Sequence, residues 1–207
     1  MRVLFLGDPS NPLVGFLKSV GEDVHVTTDK INGKEQKEWL QEFDFVVSYG
    51  YRHIVRKSVI DLFPNKIINL HISFLPYNRG ADPNLWSWIE STSAGVTIHK
   101  LDPGLDTGEI LIQKKVNFRN SDGDLTLAST YTKLQKEICQ LFQENWDRLK
   151  KGEIEGIPQD NSLATFHYAK HKEVIMEKFI MPNGGWNISI KLLMELIPEI
   201  QKTLSSS

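Results

Sequence analysis

Cysteine is almost absent: Cys139 is the single one in 207 residues. One thiol cannot close an internal disulfide, so a disulfide framework is excluded and a reducing compartment fits. Its surroundings, KEICQLF, read as the apolar face of a helix, which suits a packed thiol better than a nucleophile. Long apolar runs are missing too. The short run in MRVLFLGDPS ends in turn residues and reads as a first strand, not a signal peptide core. No stretch approaches the roughly 20 apolar residues of a bilayer-spanning helix, so no membrane partner is expected and a cytoplasmic location is. Charge of one sign is also lacking, with 24 basic against 26 acidic residues and a pI of 6.3. Bases alternate with acids, as in KINGKEQKEWLQEF, whereas nucleic-acid binders gather them on one face; no nucleic-acid partner is expected.

What is present is an ordinary globular balance, 40% hydrophobic and 24% charged. The length suits one domain over residues 1–150, with a C-terminal extension over 151–207 that packs on it or on a partner subunit. Continuous apolar runs predict strands at Val3–Gly7, Asp23–Thr28, Phe45–Gly50 and Lys66–Ser73. Helices are expected from Asn11-Pro12, which offers a cap and a first-turn proline, over Lys34–Phe43, and over Lys57–Phe63. This alternation implies an α/β fold: a mainly parallel, twisted, Rossmann-like sheet with helices on both faces. A helix near Pro83, strands at Gly95–Asp102 and Glu109–Val116, and a long amphipathic helix over Asp124–Lys150 follow. The apolar stripe of that helix is Leu127, Tyr131, Leu134, Ile138, Leu141 and Phe142. A last apolar segment, Ile188–Leu204, holds Pro198, which should kink or restart it. It either completes a homodimer interface or covers the chain's own core.

Two segments carry chemistry. Asn69 and His71 alternate on a strand and so share a face, with Leu70 on the other. An amide and an imidazole together can donate to an oxyanion and handle a proton. Leu101–Gly108, with two glycines and a proline, is a tight loop able to approach a ligand, and its Asp106 can orient a histidine. Alone, each segment reads as turn chemistry. Together they should converge on the rim where open α/β sheets place ligands, beyond the strands' carboxyl ends.

NLHISFLPYNRG followed by GVTIHKLDPGLDTGEIL resembles the folate-dependent formyltransferases, the family of glycinamide ribonucleotide and methionyl-tRNA formyltransferases. The likeness runs over about residues 45–116, motifs in order. It implies Asn69, His71 and Asp106 as catalytic residues and 10-formyltetrahydrofolate as co-substrate. An amine would attack the formyl carbon to give a tetrahedral oxyanion, a step that needs no metal. The resemblance also implies a folate site at His53, Ile54 and Val55, completed by the loop of Asp102, Gly104 and Leu105. His53 departs from what the two named relatives carry.

Three acceptors compete. A tRNA enzyme carries a substantial second domain, of which only the stretch after Gly152 could be a counterpart. A phosphoribosylglycinamide formyltransferase needs a phosphate cradle after its first strand, whereas GDPSNPLVG puts two prolines there, with Ser10-Asn11 as partial anion contacts. The segment Tyr77–Ser87 resembles the nucleotide-sugar N-formyltransferase branch, which serves polysaccharide biosynthesis, and Gln159-Asp160 with Ala164–Tyr168 extend the likeness. Tyr77, Arg79, Asn84 and Trp86 are then the substrate-binding candidates. Arg79 either pairs with a diphosphate or pins its loop. Trp86 either faces the site or packs its helix. His167 and His171 have a spacing that can bind metal on a helix, but no third ligand accompanies them, so solvated histidines are expected. A folate-binding domain without turnover is the non-enzymatic alternative.

Overall fold

The computed structural model describes residues 1–118 and 124–205, and these form two compact units, each built from separate stretches of chain. The first comprises Met1–His71, Thr97–Gln113 and Ile138–Gln159; the second comprises Ile72–Val96, Lys114–Glu137 and Asp160–Ser207. Neither unit ends at residue 150, where chain order alone had suggested a division.

The elements run β1 (Arg2–Leu6), α1 (Pro12–Ser19), β2 (Asp23–Thr27), α2 (Lys37–Leu40), β3 (Phe45–Tyr49), α3 (Lys57–Ile60) and β4 (Ile67–His71). Then follow β5 (Arg79–Gly80), α4 (Pro83–Ile89), β6 (Gly95–Lys100), β7 (Ile110–Lys115) and α5 (Leu127–Lys151). The chain closes with β8 (Phe166–His167), α6 (Glu173–Ile175) and α7 (Ile190–Ser205). Six strands form one sheet in the order β2-β1-β3-β4-β6-β7, and β5 pairs with β8 apart from it. The first four strands are parallel, as the α/β alternation implies, whereas β6 runs antiparallel to β4.

The core of the first unit follows from composition. Val3, Leu4, Phe5 and Leu6 are fully buried, as a strand covered on both faces requires. One face packs Leu4, Leu6, Val46 and Ile67 against Leu40, Val55, Val59 and Phe63. Phe45 stands edge-on to Trp146 of α5, whose Nε1 donates to Glu22 at 3.0 Å. Burial pushes the Glu22 carboxyl up, but hydrogen bonds from the amino terminus, Lys150 and Trp146 outweigh it and hold the group below its usual range. The second unit packs Leu85, Trp86 and Ile89 of α4 against Leu127, Ile175, Ile180 and the inner face of α7.

Several sequence expectations need correction. Lys34–Phe43 is a 3₁₀ turn at Lys34–Gln36 and then the single turn of α2, since Gln36 turns its side-chain oxygen back to Gly33 N, a cap placed inside the expected span. α3 stops at Ile60, ahead of Pro64. α5 begins at Leu127 because Thr126 and Ser129 cap each other's backbone N–H groups. On that helix Tyr131 is 44% exposed and lies off the buried stripe that Leu127, Leu134, Ile138 and Phe142 define. α7 runs through Pro198 without restarting; Ile190 and Leu193 before it and Ile200 after it are buried on one side and hold both halves. Its Ile190, Leu193 and Ile200 lie in the core of its own unit. Among the described residues no helix is long and apolar enough to cross a membrane.

Candidate active site

The polar cluster lies in the first unit, in the middle of β4 and β6. Antiparallel pairing sets Asn69 opposite His99 and His71 opposite Thr97. Opposed residues share a sheet face, so three functional side chains rise from it together. The 101–109 connection leaves beside the start of β4, where Leu101 N donates to Ile67 O, and not at its carboxyl end. The loop therefore folds back over the sheet face and brings Asp106 beside Asn69 and beside His71, the last residue of β4. Tight geometry makes this possible. Asp106 has φ 52°, in the left-handed region that aspartate tolerates. A Cβ on Gly108 would lie 1.8 Å from Lys100 O, so only glycine lets the returning chain touch β6.

Asp106 Oδ1 accepts from Asn69 Nδ2 at 3.2 Å and lies 3.4 Å from His99 Nε2; its Oδ2 is 3.7 Å from His71 Nδ1. Asn69 Nδ2 is also 3.2 Å from His99 Nε2. The opposite nitrogen of His99, Nδ1, is 2.8 Å from Lys100 O. A carbonyl only accepts, which assigns the proton to Nδ1. Nε2 then accepts from Asn69 while the ring is neutral and donates to Asp106 when it is charged. The Asp106 side chain is only 13% exposed, with these three groups around it. The structure brings the three expected residues Asn69, His71 and Asp106 together and sets beside them His99, which the sequence reading did not single out. The available signal was the alternation Thr97-x-His99, but its facing towards Asn69 depends on the antiparallel register.

The expected folate residues also lie in the first unit. Ile54 is 77% exposed, Val55 is buried in the core, and His53 is half-buried, edge-on to Tyr51. Asn32 bridges this loop, donating to Ile54 O and accepting from Arg56 N. Asp102 shapes its own loop by accepting from Gly104 N and Thr107 Oγ1, with Leu105 half-buried beyond. At the turn after β1, Ser10 donates both N–H and hydroxyl to Asp8, lowering the carboxyl of Asp8 below its usual range. Asn11 spends its oxygen on Leu13 N.

The four expected substrate residues fall in the second unit. Arg79 is 1% exposed, bonds Asn161 and lies over the Phe166 ring, contacts that tie down its loop. Asn84 is buried and donates to Leu127 O; Trp86 is buried against His167, ring centroids 3.8 Å apart and nearly parallel. Tyr77 is half-buried, its carbonyl accepting from Ser73. His167 and His171 are not a helical pair, and His167 is not solvated: it is 8% exposed and lies 2.8 Å from Glu90. Burial raises the Glu90 carboxyl, but His167, Thr165 and Asn78 outweigh it and hold Glu90 charged. The Cys139 thiol is pushed up by burial, away from nucleophilic use.

A carboxylate between two imidazoles and an amide, on one face of an open α/β sheet, is equipped to move a proton and to steady an oxyanion. The formyl transferase profile matches residues 24–144, and the chain belongs to that family. A methionyl-tRNA formyltransferase of Thermodesulfovibrio yellowstonii is 37% identical over 79% of this chain but only 49% of its own length. The chain thus spans about half the length of that relative. The formyltransferase PseJ from Anoxybacillus kamchatkensis, solved with UDP-4,6-dideoxy-4-formamido-L-AltNAc and tetrahydrofolate, superposes with a TM-score of 0.85. It is 40% identical, covering 93% of this chain and 97% of that one. A sugar N-formyltransferase from Shewanella sp FDAARGOS_354 shares the fold at 20% identity and TM-score 0.77, covering 95% and 88%.

Proposed function

We propose that the protein transfers the formyl group of 10-formyltetrahydrofolate to the amine of a nucleotide-linked amino sugar. The carrying observation is the Asn69–His71–His99–Asp106 cluster, which supplies one partly buried acid and three groups around it. The amine nitrogen bonds to the formyl carbon, and the bond from that carbon to the folate nitrogen breaks, its electron pair going to that nitrogen. The His71–Asp106 pair accepts the amine proton and returns one to the leaving nitrogen. Asn69 donates to the oxyanion by exchanging one of its two 3.2 Å contacts. His99 donates to Asp106 from Nε2 when its ring is charged.

The loops fit the pteridine donor in kind: exposed Ile54 offers apolar surface, and the turn at Asp102–Leu105 presents backbone. For the acceptor, likeness along nearly the whole of PseJ favours a UDP-linked 4-amino-4,6-dideoxy sugar. Asn84 Oδ1 and Trp86 Nε1 are buried with no hydrogen-bond partner among the described residues. Arg79 serves by fixing the loop of Tyr77. Glycinamide ribonucleotide fits less well, because the turn after β1 presents the Asp8 carboxylate where a phosphate would sit, and Ser10 and Asn11 are spent internally.

The test incubates the protein with 10-formyltetrahydrofolate and a panel of UDP- and dTDP-linked amino sugars, glycinamide ribonucleotide and methionyl-tRNA. A gain of one formyl group on a nucleotide sugar is expected. Formylation of either of the last two alone, or folate binding without consumption, overturns the reading.

A further inference from the structure

The left-handed φ of Asp106 persists only if its surroundings over-determine it. The loop supplies half of that constraint through Asp102, which bonds Gly104 and Thr107. The half that bears the acid is held from outside. Gln159 Nε2 lies 2.9 Å from the carbonyl oxygen of Asp106 and 2.7 Å from that of Gly108, donating to both. One carboxamide nitrogen, with its two hydrogens, bridges the carbonyls that flank Thr107. Gln159 is itself fixed. Ile157 and Ile110 exchange backbone hydrogen bonds of 2.8 and 2.9 Å, tying the segment to the first residue of β7. A Cβ on Gly156 would stand 2.8 Å from Glu109 Cβ, so the strap lies flush against that edge. Pro158 then stiffens the step to the glutamine.

We propose that Gln159 is a positioning residue: its carboxamide clamps the backbone on either side of Thr107 and so holds the Asp106 carboxylate within reach of Asn69, His71 and His99. This rests on the role proposed above for Asp106. The chemistry selects glutamine narrowly. Leucine has no donor, and glutamate of the same length sets an oxygen against two carbonyl oxygens.

The experiment measures turnover with 10-formyltetrahydrofolate and a UDP-linked 4-amino-4,6-dideoxy sugar for Gln159→Leu and Gln159→Glu, each alone and combined with Asp106→Asn. Each single change should lower kcat about 10- to 100-fold, with KM for the amine within about threefold. In the Asp106→Asn background the same change should cost less than about threefold, because the group that the clamp positions is already lost. Retention of half the kcat in both single variants, or a full further loss in the combined ones, overturns the proposal. If Gln159→Leu does not fold, Gln159→Glu carries the same readouts. A slow Asp106→Asn beside normal Gln159 variants removes the clamp alone; a normal Asp106→Asn removes the catalytic reading beneath it.

Discussion

Each unit sets a partly buried carboxylate beside histidine, and the two pairs are built differently. In the second unit the Glu90 carboxylate is 2.8 Å from His167 and accepts from Asn78 at 3.0 Å, while His167 is stacked on Trp86 and Asn78 in turn accepts from Thr92. In the first, Asp106 meets its neighbours at 3.2, 3.4 and 3.7 Å. Short contacts under a stacked ring lock a fold. Longer ones around a shared carboxylate leave protons and donors free to be redirected, as catalytic hydrogen bonds that tighten only with substrate do.

The difference is sharpest in turnover. His71→Ala or Asp106→Asn should cost on the order of 10²–10⁴ in kcat with little loss of stability; near-normal formyl transfer by both purified variants would erase the contrast. His99→Ala should cost less, about 10–100-fold, and combine with Asp106→Asn less than additively, since both act on one carboxylate. Full additivity in that cycle would separate His99 from the site. In the other unit the effects should invert. Glu90→Gln is expected to lower unfolding stability by about 2 kcal/mol with kcat within about threefold, read from urea denaturation. An unchanged midpoint breaks the comparison. The smallest effect is on pH. The Glu90 carboxyl is depressed in the fold, so its stabilisation is present above the unfolded value, about 4.3, and disappears as pH falls through the lower folded one. The stability gap between wild type and Glu90→Gln should therefore close on acidification below about pH 4, and a gap that widens there contradicts the assignment.

The parallel strands were legible because burial on both faces demands unbroken apolar runs such as Val3–Leu6. The pair Asn69-x-His71 was legible because strand alternation is strict. The reversal of β6 was not, since an antiparallel strand in a mixed sheet reads like its parallel neighbours when both faces are covered. His99 went unread with it. His167 misled for another reason: four-residue spacing means a shared face only on a helix, and here the chain passes from β8 into a 3₁₀ turn. Arg79 stood open in sequence between a diphosphate and its own loop, because only packing decides what a guanidinium touches; in the fold it bonds Asn161 and lies over the Phe166 ring.

The contact of Gly108 with the Lys100 carbonyl bears on how such a site can drift over generations. A saturation library at position 108 should return glycine alone, whereas Pro103, exposed at the tip of the same loop, should accept many residues. Variation that retunes the site is thereby steered to the tip, and the foot of the loop stays fixed while recognition evolves around it.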